Sequence, residues 1–205
     1  GLFSIFLVHL VASRVKHNQI LGFVLGGIMI SSIFTSLTSY VKLVADPNDT
    51  LPNITYFLMG SLASSTSNDV MMATIPIAIG IIAILAISWK LNLLSLDDQE
   101  AQSLGVNTKL LRSVAIIASA LIISTSVSIA GAIGWIGLVI PHIVRMLIGC
   151  DTRKTVPASI LLGSSFLIIT DTLSRIISTS EIPIGILTSL IGAPFFLYLI
   201  IRQGR

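Results

Sequence analysis

The chain predicts a polytopic bundle of transmembrane α-helices, on three observations. Apolar residues make up 54% of its 205 residues and charged residues only 10%, where a soluble domain carries about a quarter charged. The mean hydropathy is +0.97. Apolar runs such as IPIAIGIIAILAISW (Ile75–Trp89) are continuous, whereas the strands of a membrane barrel alternate apolar and polar residues over about ten positions. Backbone facing lipid must satisfy its own hydrogen bonds, so helices remain once the barrel is excluded.

A helix needs about 20 apolar residues to cross the hydrocarbon core. Gly1–Ser13 is shorter and reads as the tail of a span, so the chain is expected to be N-terminally incomplete. No basic region precedes that run, which argues against a cleavable signal. Asn18–Val44 and Val70–Trp89 are the next spans. Ser113–Val144 contains no Asp, Glu, Lys or Arg. It reads as a hairpin, Lys109–Ile129 and Ala132–Ile148, turning within Ala130–Gly137, with one span plus a re-entrant segment as the alternative. Thr155–Leu173 and Ile182–Ile201 bring the count to six spans and a partial one, in a single membrane domain over residues 1–205.

Charge orients these spans. Arg14, Lys16 and His17 precede the second segment, and Lys90, Lys109 and Arg112 flank the loop 92–108. Arg145, Arg153 and Lys154 follow the fifth segment, and Arg202 and Arg205 close the chain. With these four regions in the cytoplasm the helices alternate in direction, and only Lys42 and Arg175 fall outside. The external loop 45–69 holds Asp46, Asp49 and Asp69 with no Lys or Arg. That is the positive-inside pattern, and it places the C-terminus in the cytoplasm. The net charge of +3 is spread over segment ends and never clusters, so a nucleic-acid partner is not expected. The lone Cys150 forms no intrachain disulfide.

The loop Asn92–Thr108, NLLSLDDQEAQSLGVNT, sets Leu94, Leu96, Ala101 and Leu104 among Asp97, Asp98 and Glu100. This predicts a short amphipathic helix ended at Gly105. Its acidic face disfavours the negative inner leaflet and favours docking to a soluble partner. Ser31, Ser32, Thr35, Ser36 and Ser39 recur at helical spacing in the second segment. Such hydroxyls either line a wet pathway, bond to a neighbouring helix, or bond back to their own helix carbonyls. Gly22 and Gly26 make a small-xxx-small face for close packing. Lys16, His17 and Asn18 occupy the short cytoplasmic turn before that helix. Pro141 and His142 read as a kink with a hydrogen-bonded His, since no second His lies at ligand spacing and a metal needs several ligands. Asp171 and Arg175 are i,i+4 ion-pair partners, with Glu181 able to compete for the arginine. Asp151, Arg153 and Lys154 read as solvated loop charges.

No Gly-x-x-x-x-Gly-Lys-Ser/Thr loop occurs, so ATP hydrolysis, if used, belongs to another chain. An intramembrane Ser hydrolase lacks its G-x-S-x-G turn. An ion-coupled secondary transporter would place a carboxylate at mid-membrane. The spans hold only Asp171, near a helix end, so this reading is the alternative.

Three stretches carry a family resemblance: GAIGWIGLVIPHIVRMLIG (Gly131–Gly149), DTRKTVPASILLGSSFLIITDTLSR (Asp151–Arg175) and EIPIGILTSLIGAPFFLYLI (Glu181–Ile200). They closely resemble the permeases of bacterial ABC importers for iron-siderophores, haem and cobalamin. LSLDDQEAQSLGV (Leu94–Val106) resembles the same permeases' connector to the ATPase. The resemblance implies about ten helices in a complete subunit, of which this chain is the C-terminal two-thirds, in the bacterial inner membrane. It implies a dimer of identical or closely related permeases, two ATP-binding subunits that use ATP and magnesium, and a periplasmic substrate-binding protein. No cofactor is expected on this chain. Ser32, Thr35, Ser36 and Ser39 would border the pathway, Lys16, His17 and Asn18 would stand at the inner gate, and Arg175 would meet the binding protein. Leu94 to Gly105 would seat in the ATPase, and the Pro141–His142 pair matches the family motif. The family's gate usually carries small hydroxyl residues, and the Lys–His pair departs from that. Iron-siderophore is the family's commonest cargo, with haem, cobalamin and oxyanions such as molybdate behind it.

Overall fold

Residues 1–12, 19–95, 98–177 and 181–203 are described by the computed structural model, and they form helices and connecting turns with no strand among them. Contacts divide the chain into two compact units, Gly1–Thr55 and Tyr56–Arg205. The helices in order are α1 (Leu2–Ala12), α2 (Gln19–Val44), α3 (Thr50–Met59), α4 (Ser67–Leu91), α5 (Asp98–Ser103), α6 (Thr108–Ala130), α7 (Ile136–Ile148), α8 (Thr152–Ile176) and α9 (Ile184–Gln203). A 3-10 turn, Asn92–Ser95, continues α4.

In the first unit α1 packs on α2. Gly22 and Gly26 are buried there. A Cβ on Gly26 would touch Val8 and Val11 at 3.5 Å, so the small residues give the helices their close approach. His9 and Phe23 stack beside them, with ring centroids 5.8 Å apart.

The second unit is organised by α4 against α6, with α8 on α4 and α7. α4 begins in a capping box that Thr66-Ser67-Asn68-Asp69 encodes: Thr66 Oγ1 accepts from Asp69 N, and an Asp69 carboxylate oxygen accepts from Thr66 N. Only Ala73, Gly80 and Ser88 of α4 are buried. Gly80 is the contact point, where an added Cβ would lie 2.5 Å from Ile122 Cγ1 of α6.

Among the described residues, four helices are long and apolar enough to cross a bilayer: Leu21–Val44, Ser67–Leu94, Thr108–Ala130 and Thr152–Ile176. Their hydrophobic windows are only 6–17% buried. So large an exposed apolar surface fits lipid and partner helices, not water. α9 has 20 residues, about 30 Å of helix. Residues 109–148 do not form two full arms: α6 is long enough to span, whereas α7 is short and packs on α8 and α9, closer to the alternative of one span plus a shorter segment. α7 has 13 residues, about 20 Å. Before it, residues 131–135 are non-helical, with Gly131 at φ 68° and Trp135 at φ 66°, where Ile136 N donates to Gly134 O across Trp135. Non-helical backbone at membrane depth is tolerated where protein covers it. Here Gly131 abuts the Phe57 carbonyl and Gly60 the Ala132 carbonyl, while Ser61 N donates to Ala130 O at the end of α6.

Candidate functional site

Two ends of the second unit are knit by different chemistry. At one end the chain leaves α4 through the 3-10 turn, passes α5 and enters α6. α5 closes as its sequence predicts. Gly105 takes φ 77°, its N–H donates to Gln102 O at 2.9 Å, and Val106 N donates to Ala101 O. This is a glycine C-cap. Ala101 is fully buried, while Glu100 and Leu104 face outward. The segment therefore presents an acid beside an apolar side chain, as a docking element needs. Leu96 and Asp97 lie outside the described residues, and the side chain of Asp98 is not described. Asn107 caps α6 by accepting from Leu110 N.

The same end holds a contact between residues that sequence reasoning treated as ordinary. Asn92 Nδ2 donates to Asp151 Oδ1 at 2.8 Å, and Thr152 N donates to Asn92 Oδ1 at 2.8 Å. Asp151 is not a free loop charge. It is the N-cap of α8, accepting from Arg153 N. Donation from Asn92 first, and from the Arg153 N–H second, holds its carboxylate below its ordinary pKa. An Asp just ahead of a long apolar helix is an N-cap signal the sequence carried. Its partner 59 residues away was not legible. Asn92, Thr152, Leu94 and Arg145 line a cavity of about 850 Å³ whose deeper wall is Ile84, Ile122 and Ile160.

His142, on α7, corrects an expectation. Its Nε2 is buried and makes no hydrogen bond among the described residues. Ser159 Oγ, on the packed helix α8, is likewise buried without a hydrogen bond among the described residues. Pro141 lies inside α7, which continues past it. Among the described residues no three His, Cys, Asp or Glu gather as a metal site.

At the other end, Gly60, Gly131 and Gly185 let three backbones meet. A Cβ on Gly131 would overlap the Phe57 carbonyl, and one on Gly185 the Met59 carbonyl. Trp135 holds its left-handed backbone by seating its ring against Gly192, 6.3 Å from Phe196 between centroids. Arg175 stands near this end with both expected acids: Nε is 3.0 Å from Asp171 and Nη1 3.4 Å from Glu181. Arg175 and Glu181 are exposed and Asp171 is half-buried, and the trio carries a net negative charge.

The hydroxyl stripe of α2 is exposed. Ser32, Thr35, Ser36 and Ser39 each donate to the carbonyl four residues back, at 2.9 to 3.0 Å. Ser32 and Ser36 with Ile33 and Leu37 form a shallow groove. With each hydroxyl proton committed to its own helix, the groove offers lone pairs and methyl groups and has no strong donor. Lys16, His17 and Asn18 lie outside the described residues.

Comparison with known proteins follows the same lines. The model of the FecCD transport family matches residues 1–202. The molybdate import system permease protein MolB of Haemophilus influenzae is 38% identical over 205 residues, covering 100% of this chain and 61% of that protein. The hemin transport system permease protein HmuU of Yersinia pestis is 36% identical over 204 residues, covering 99% of this chain and 61% of that protein. Among solved structures, an inward-facing ABC transporter assigned to the metal-chelate type matches with a TM-score of 0.90 and 38% identity, over 96% of this chain and 62% of that one. The chain thus spans about three-fifths of the length of the relatives it matches.

Proposed function

The chain belongs to the FecCD transport family, and from that premise we propose that it forms most of the permease subunit of an ATP-driven importer for a metal chelate, iron-siderophore first. Cargo moves from the periplasm to the cytoplasm through a bacterial inner membrane, between this permease and a second copy or close relative. The observation that carries the reading is the segment from Asn92 to Gly105. Within it α5, Asp98–Ser103, is a short helix carrying Asp98 and Glu100, followed by a left-handed glycine, between two apolar helices of 25 and 23 residues. A span-to-span connector needs no such element; a lever for a soluble motor does.

In this mechanism two ATP-binding subunits close on ATP and magnesium and push on Glu100, Leu104 and their neighbours. The push tilts α4 and α6, which move together because Gly80 brings them into direct contact. At the far end the junction of Gly60, Gly131 and Gly185 passes the tilt to α9. The exposed hydroxyl face of α2 then opens to one side or the other, with Lys16, His17 and Asn18 as the inner gate. The binding protein supplies affinity and meets the outer face near Arg175. The relatives named for molybdate and for hemin bear on cargo, and uptake of ferric siderophore, hemin and molybdate in parallel separates the classes.

Reconstitution of the complete permease in liposomes tests the reading. With the ATPase and binding protein present, ATP drives uptake, and an ion gradient alone drives none. Gradient-driven uptake without the ATPase would establish the secondary transporter instead.

A further inference from the structure

Asn92 caps the end of α4 and Asp151 the start of α8, and the Asn92 side chain is joined to that helix start at two points, the Asp151 carboxylate and the Thr152 N–H. Asn92 uses both ends of its amide: Nδ2 donates to the Asp151 carboxylate and Oδ1 accepts from the Thr152 N–H, each at 2.8 Å. Asp151 is at the same time fixed to α8 as its N-cap through Arg153 N. The turn behind it is closed on α7. Gly149, with φ 87°, donates to Arg145 O, and Thr155 Oγ1 donates to Asp151 O at 2.8 Å. A planar amide held at both ends resists rotation as well as separation, and the contact to a carboxylate is a charge-assisted one.

We propose that Asn92 and Asp151 form the clamp through which movement of the ATPase-docking segment reaches the α7–α8 pair, with Asn92 as a positioning residue for transport. The inference rests on the importer reading and deepens it. Asn92 is the first residue past α4 and opens the docking segment, so any displacement of that segment pulls on it directly. The pull arrives at the N-terminus of α8, a 25-residue helix that ends at Arg175 and the outer face. The clamp therefore gives the docking segment a second route outward, parallel to the one through α4 and α6.

The test uses the complete permease with its ATPase and binding protein in liposomes, comparing the parent, Asn92→Asp, and the double variant Asn92→Asp with Asp151→Asn. The single variant sets two carboxylates against each other and breaks the clamp. The double variant exchanges the roles, an amide at 151 donating to a carboxylate at 92, which still accepts from Thr152 N. Losing a hydrogen bond to a charged group predicts about a tenfold fall in cargo imported per ATP hydrolysed for Asn92→Asp, with recovery to within about threefold in the double variant. Hydrogen exchange at Thr152–Thr155 is the second readout. It should rise in Asn92→Asp and return in the double variant. Import per ATP within twofold of the parent in Asn92→Asp, or a double variant no better than the single one, overturns the clamp. If even the parent imports nothing with ATP, the importer reading falls, while the exchange data still decide whether the clamp exists.

Discussion

Gly105 offers a perturbation whose cost can be worked from geometry alone. It closes α5 with φ 77°, and a Cβ built on it meets nothing within 4 Å. Gly105→Ala therefore creates no clash, and its whole effect is the cost of a left-handed backbone for an L-residue, roughly 1–2 kcal/mol. That cost lowers the population of the closed cap by about 5–30-fold. Two amides report it: Gly105 N–H, bonded to Gln102 O, and Val106 N–H, bonded to Ala101 O. Hydrogen exchange at these amides in the full permease should accelerate by about that factor in Gly105→Ala and by less in Gly105→Asn, since Asn tolerates this conformation better. Import should fall in the same order, while binding of the delivery protein is unchanged. Equal exchange in parent and Gly105→Ala would refute the reasoning, because the left-handed cap would then not be what closes the segment.

Other changes separate parts of the account. Gly131→Ala adds a clash with the Phe57 carbonyl to the strain of φ 68°, so the thermal midpoint should fall by several degrees, whereas Gly134→Ala, with open space around it, should leave it nearly unchanged. Asp151 has its pKa lowered in the folded state. Its contribution is therefore present above the ordinary carboxylate pKa of about 3.9 and lost as pH falls through the lower folded value. The stability difference between parent and Asp151→Asn should accordingly shrink below about pH 4 in thermal melts. At the outer face, Glu181→Gln frees Arg175 from its weaker partner and should tighten delivery-protein binding about two- to fivefold, while Arg175→Glu should weaken it; surface pairs are worth this little. Both variants should leave basal ATP hydrolysis unchanged.

The helical membrane class was legible because continuous apolar runs and end-clustered basic residues are local signals. The Gly105 stop was legible for the same reason, as was the Asp171–Arg175 pair at i,i+4. What could not be read was set by contacts distant in sequence. Nothing around Asn92 indicates that Asp151 will meet it. The break after Gly131 was legible only as an alternative, because GAIGWIG is as apolar as a span. It sits where Gly60, Gly131 and Gly185 bring backbones distant in sequence into contact, with Ser61 N donating to Ala130 O. His142 was expected to be bonded because buried polar groups generally are. Its Nε2 is instead buried without a partner among the described residues.

The account stands or falls on which side of the membrane α5 faces. Glu100 is exposed, so a single cysteine placed there, after Cys150→Ser removes the chain's one native thiol, reports its side to a membrane-impermeant maleimide. Labelling in inside-out vesicles but not in intact spheroplasts, blocked when the ATPase subunit is bound, is the predicted result. Labelling from the periplasm would contradict the orientation and leave the ATPase no surface to push.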